Sequence, residues 1–373
     1  MTNPPPPGNW GPPQPPYGQG QPPYASGPWP PQQGWGPPPQ PPKNSSLKWL
    51  LISVAVLLVI AISVGATLLF TRDGGDGTTQ TANGNPPAAG EIASANDTGP
   101  VSIITEDPTC EPSRPVTDTL AQQQRQGWES RDYTLPASAW TPEQRVMYQE
   151  VAEAMRRAAD QAVQLAKQTP HRVMRELYEQ SIAFWRAYAD SVPDYTPDDN
   201  YFAMAAGNAS GAIVAICSAI DLRSAQARGP LVQTGPAPQD VSPPQVSNSP
   251  ALFINSSSSS ICQPWMAASN KFDSNAGPWH GIDPAIPASS WTASQRSEMT
   301  SMAEVMSNFA DELEHLGQRS KNAIVADFAA LSSQYWRAFS LAVPSYTTAD
   351  SYLSGTAAYT VYLVVNACAA AGE

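Results

Sequence analysis

The side chains that could do chemistry recur along this chain at one spacing. Shifting the sequence by 151 residues carries Asp132 onto Asp283, Arg145 onto Arg296, Glu153 onto Glu304, Asp160 onto Asp311, Arg186 onto Arg337 and Asp199 onto Asp350. Carboxylates and guanidinium groups in such numbers offer three uses: ion pairs, a charged binding surface, or a paired-carboxylate hydrolase built on Glu153 and Asp160. The hydrolase is the weakest, because an i,i+7 pair on an open helix face has no desolvated pocket to raise one pKa. For Arg186 and Arg337, the competing expectations are bridges to the acids of a neighbouring helix, Glu153 or Asp160 in the first copy, and a common ligand surface. That surface would comprise Glu153, Asp160, Arg186, Glu304, Asp311 and Arg337. Trp128 and Trp279 would join it, as tryptophans flanked by Gly and polar residues and expected on loops.

Other chemistries lack their residues. There is no Gly-rich phosphate loop, no GxSxG and no HExxH. His171, His280 and His315 face Asn322, Glu129 and Gln164 at the equivalent positions, so no histidine is shared between copies. No CxxC pair exists, which argues against a metal. The four cysteines fall two per copy at matching places, predicting disulfides Cys110–Cys217 and Cys262–Cys368 and an oxidising compartment. No cofactor is expected, and the chain reads as a non-enzyme.

The elements that position these residues are helical. From Trp128 to Cys217, 28 of 90 positions are identical to their partners at +151 without a gap, far above chance, so the region is a tandem duplication. Met299, Met302, Met306, Phe309, Leu313 and Leu316 follow a 3,4,3,4,3 spacing, matched by Tyr148, Val151, Met155, Ala158, Ala162 and Leu165. Thr141 and Thr292 are natural N-caps. A second helix runs from about Pro170 or Lys321 to Val192 or Val343. A third opens at Asp198 or Thr348 and closes after Cys217 or Cys368.

Upstream, Trp49–Phe70 holds 22 residues without a charge, long enough at about 1.5 Å per residue to span a hydrocarbon core about 30 Å thick. It predicts a single transmembrane helix over 48–71; a cleaved signal sequence is the competitor, disfavoured by the 48 residues before the run. Lys43 and Lys48 precede it, no acid lies in 1–48, and Asp73 and Asp76 follow, so the amino terminus is expected in the cytoplasm and the carboxyl terminus outside. Of the net charge of -12, -14 falls beyond the span, which argues against nucleic acid as a partner. Residues 1–42 hold 18 prolines with isolated aromatics and cannot build a core.

The expected organisation is therefore all-α. A disordered Pro/Gly/Gln-rich cytoplasmic tail (1–47) and the span (48–71) precede a flexible stalk (72–109). Two disulfide-bonded helical-bundle repeats (110–221 and 262–373) follow, joined by a Pro/Ser-rich linker (222–261). Whether the two bundles move independently or dock stays open.

The tail MTNPPPPGNWGPPQPPYGQGQPPYASGPWPPQQGWGPPPQPP, one span and an Ala-rich disulfide-bonded exterior resemble the proline-rich single-pass membrane proteins of mycobacteria and related actinobacteria. That resemblance implies an exterior facing the cell-envelope space. The expected function is an anchored envelope protein held in membrane lipid by its span. Its duplicated exterior would bind an envelope protein or ligand, and its tail would either dock cytoplasmic proteins or serve as a solvated spacer. A single-pass receptor that signals by clustering is the alternative, and an envelope hydrolase a weaker one.

Overall fold

The structure is a computed structural model and describes residues 92–244, 246–255 and 259–372. The tail, the span and the first part of the stalk lie outside the described residues. Those that are described form one compact unit of helices without a strand. We number the α-helices α1 (Cys110–Gln124), α2 (Pro142–Gln168), α3 (Arg172–Ser191), α4 (Asn200–Asp221), α5 (Ser224–Arg228), α6 (Cys262–His280), α7 (Ala293–Arg319), α8 (Ala323–Ala342) and α9 (Ser351–Ala370).

Local chemistry sets the helix ends. Thr141 and Gln144 form a reciprocal capping box at the start of α2, with Pro142 in the first turn; Thr292 and Gln295 repeat it at α7. The apolar rows predicted for α2 and α7 are all buried. After α3 and α8, Pro193 and Pro344 open one turn of 3-10 helix, and Thr196–Asp199 and Thr347–Asp350 form caps leading into α4 and α9.

The entry segments differ from expectation. The helices expected from the sequence begin at Thr141 and Thr292, yet the segments after Cys110 and Cys262 are helices as well, α1 and α6. Pro112 and Pro264 sit in the first turns, where amides have no intrahelical partner, whereas Pro115 and Pro278 lie inside α1 and α6, each at the loss of one backbone hydrogen bond. Each entry helix is clamped to the last long helix of its copy: Cys110–Cys217 and Cys262–Cys368 bridge Cα atoms 5.2 and 5.5 Å apart.

The two halves pack into one body. The most extensive contact between them joins α4 to α9. A Cβ on Gly211 would stand 2.8 Å from the ring of Tyr359, so only glycine admits that ring, while Gly355 faces Ala215. Rising numbers on one helix meet falling numbers on the other, so the pair is antiparallel. Both helices are long and apolar enough to cross a membrane by length and composition alone, with 56% and 61% of their apolar windows buried. A core helix meets the same test, and here each lies against the other.

Two segments expected to be loose are packed instead. Residues 92–109 end the predicted stalk, but Val101, Ile103 and Ile104 are buried and the Ile104 amide donates to the Tyr335 hydroxyl at 3.3 Å. The apolar run Val101–Ile104 was masked by the polar composition around it. Within the predicted linker, Phe253 and Ile254 are buried, and the Phe253 ring lies edge-on to Phe184 of α3 and Phe328 of α8. Gln180 accepts from the Phe253 amide at 3.2 Å, and Asn322 donates to the Phe253 carbonyl. One aromatic anchor therefore straps the linker across both halves. Arg228 of α5 adds a second strap, donating twice to Asp350 at 3.0 Å.

Candidate functional site

The charges singled out by their recurrence separate into three kinds. Arg145 and Arg296 are internal struts, each donating to a carbonyl, Ala137 or Ala288, at 2.8 Å. They complete a corner in which Tyr195 and Tyr346 donate to the carbonyls of Tyr133 and Pro284, and Trp140 and Trp291 to those of Leu135 and Ile286. Asp199 and Asp350 cap the turns before α4 and α9. Arg186 meets Asp160 at 2.5 Å across α2 and α3; Arg337 meets Asp311 at 2.7 Å and also Glu314.

Glu153 pairs not with Arg186 but with Arg157 one turn along α2, at 3.4 Å. It borders an open groove of about 420 Å³ with Gln123, Gln126, Gln149 and Glu150. Glu304 is exposed on α7. The set thus spreads over two separate helix faces and does not converge on one site. Trp128 is not a surface ring: it is buried, its indole N–H donates to the Tyr188 hydroxyl at 2.9 Å, and the Arg131 guanidinium lies 3.4 Å over its ring. Trp279, expected on a loop, ends α6 half-buried against Trp336 and Phe339. Its ring completes the core beneath the last turn of that helix, which is why the residue recurs.

The concentrated chemistry lies elsewhere, where α3 meets α8. Arg172 is 1% exposed and Asp327 2%. The guanidinium donates to both carboxylate oxygens, at 2.7 and 2.9 Å, and to the carbonyls of Asp97 and Gly99. The Arg172 amide donates to the Asp97 carboxylate at 2.6 Å. One side chain thus ties α3, α8 and the amino-terminal strap together. One turn on, Arg175, Glu176 and Glu179 are buried as well, with Arg175 3.8 Å from Glu176 and 3.7 Å from Glu179, too far for hydrogen bonds. Five of their side-chain atoms have no hydrogen-bond partner: Nε and Nη1 of Arg175, both oxygens of Glu176, and Oε1 of Glu179. Burial pushes the Glu176 carboxyl well above the usual range, and nearby Asp327 pushes it the same way. Burial raises Glu179 to about 7, against the pull of Arg175. A small cavity of about 50 Å³ opens beside Asp327, bounded by Val101, Pro236 and Gln318.

Recurrence of identical residues missed this cluster. Glu176 and Asp327 are equivalents at +151, acid for acid but not identical, and Arg172 and Arg175 correspond to Ala323 and Ala326. The available signal was the run of four charges from Arg172 to Glu179 in a helix otherwise buried along most of its length. Among the described residues no group of His, Cys, Asp and Glu has the arrangement of a metal site.

Residues 92–372 match the family model described as mycobacterial ESX-1 associated protein. A protein of Mycolicibacterium smegmatis (strain MKD8), described as uncharacterized, is 42% identical over 337 residues, covering 90% of this chain and 89% of its own length. No solved structure matches the chain. The family match begins at the strap that Arg172 holds and ends just past α9, so it covers the whole packed body, and on that basis the chain belongs to the mycobacterial ESX-1 associated protein family.

Proposed function

We propose that this chain is a non-enzymatic accessory protein of an ESX-1 secretion system, anchored by one span at 48–71 and presenting a duplicated helical body outside the cell membrane. The body acts as a rigid scaffold for protein partners of that system, and the Pro-rich tail offers a docking segment on the cytoplasmic side. The observation that carries this reading is the coincidence of the family match with the disulfide-clamped body, residues 92–372. A body whose halves are joined by α4 and α9, by the Phe253 strap and by Arg172 suits a part that must hold its shape while others assemble on it.

The test is secretion. A mycobacterial strain lacking the chain should export less of its ESX-1 substrates into the culture medium, and the full chain should restore export. A chain truncated after residue 91 should not restore it. Unchanged export in the deletion strain contradicts the proposal, and rescue by the truncated chain would move the function to the tail and span.

A further inference from the structure

The duplication creates an electrostatic problem at the junction of its two copies. Glu176 and Asp327 occupy the same position in each copy and meet where α3 packs on α8, so two like charges face one another out of water. The arginines here belong to the first copy, since Arg172 and Arg175 correspond to Ala323 and Ala326 in the second. Arg172 is committed to Asp327 by two hydrogen bonds, which leaves Arg175 as the cation for both Glu176 and Glu179. Among the described residues, the charges around the two acids are Arg172 and Arg175 of their own helix and Asp327 of α8, with Asp97 of the strap behind Arg172. From the other side Gln180 fastens the Ala251–Phe253 backbone, which is uncharged.

We propose that Glu176 and Glu179 retain one proton between them at neutral pH, and that this proton holds the α3–α8 junction closed, so that pH sets how firmly the two copies are coupled. One guanidinium stabilises one carboxylate; a second carboxylate in the same buried space has no cation left and keeps its proton. The unpartnered oxygens of Glu176 and Glu179 and the long distances to Arg175 are what a site with one cation between two acids presents. The sign follows from proton binding. The folded state holds a proton that the unfolded chain, with ordinary glutamates, has lost above about pH 5, so stability falls as pH rises from there, for as long as the folded state keeps the proton. In that window the slope reaches the single-proton limit of about tenfold in the folding equilibrium per pH unit, and it levels off once the folded state loses the proton as well.

The experiment is infrared spectroscopy of the full chain in detergent micelles at pH 8, where ordinary carboxyls are ionised, reading the C=O band of a protonated carboxyl. The wild-type chain should show it. Glu176→Gln and Glu179→Gln should each abolish it, because the remaining acid then has Arg175 to itself; Glu153→Gln, on the open face of α2, should leave it unchanged. Hydrogen exchange in α3 and α8, corrected for intrinsic rates, should accelerate with alkaline pH in the wild type and not in the two variants. Absence of the band in the wild type overturns the proposal. So does its survival in Glu179→Gln, which would place the proton on Glu176 by burial alone. If Glu176→Gln does not fold, the wild type and Glu179→Gln decide.

Discussion

Replacing Arg172 with alanine probes the junction at its strongest point. The guanidinium is 1% exposed and holds Asp327, 2% exposed, through two hydrogen bonds, besides the carbonyls of Asp97 and Gly99. Solvent screening is slight there, so the substitution leaves a buried carboxylate without a counter-charge, a loss of about 3–5 kcal/mol. With a urea slope of about 3 kcal/mol/M, the midpoint should fall by about 1 M or more. The assay is urea unfolding of the full chain followed by far-UV circular dichroism, with limited proteolysis between residues 92 and 104 to read release of the strap. Arg172→Ala with Asp327→Ala should recover part of the loss, because the stranded charge is removed with its partner. A single variant losing less than about 1 kcal/mol, or a double variant losing the sum of the two singles, would refute the reasoning.

The remaining predictions use the same measurement. Replacing Cys110 and Cys217 with serine opens a bridge of sequence separation 107 and should destabilise the chain by up to about 4–5 kcal/mol, read as a lowered midpoint without added reductant. Phe253→Ala removes the ring between Phe184 and Phe328 and should cost about 3–5 kcal/mol, a large effect for a residue in a Pro/Ser-rich linker. Gly317→Ala would set a Cβ 2.5 Å from the Cβ of Ala329 where α7 crosses α8, and should destabilise by about 1–3 kcal/mol through overpacking. Glu153→Gln with Glu304→Gln touches only exposed positions and should change stability by less than about 0.5 kcal/mol, so that any loss of partner binding would come from the surface itself.

Helix periodicity, capping residues and cysteine placement were legible because each has a strong local cause. Thr141 and Thr292 announce their helices from the position just before the first turn, the Met299–Leu316 row fixes the buried face of α7, and four cysteines split evenly between two copies leave one economical pairing. The entry helices were hidden because each carries two prolines, Pro112 and Pro115 or Pro264 and Pro278, and proline is a poor helix former. The straps were hidden because anchoring depends on one or two residues, Ile104 or Phe253, within strings whose average composition is polar. The charge cluster escaped for a different reason. Comparing copies finds what both need, whereas a junction between copies depends on what differs, and Arg172 facing Asp327 has no reciprocal pair because Ala323 stands opposite Glu176.

The central claim is that the two copies form one cooperative body. Its most direct test is hydrogen exchange of the full chain across a urea series, comparing peptides from α2 and α3 with peptides from α7 and α8. Loss of protection in both sets at one urea concentration, with one slope, is the predicted result. Separate transitions, one for each copy, would contradict the account and return the chain to two independent bundles on a linker.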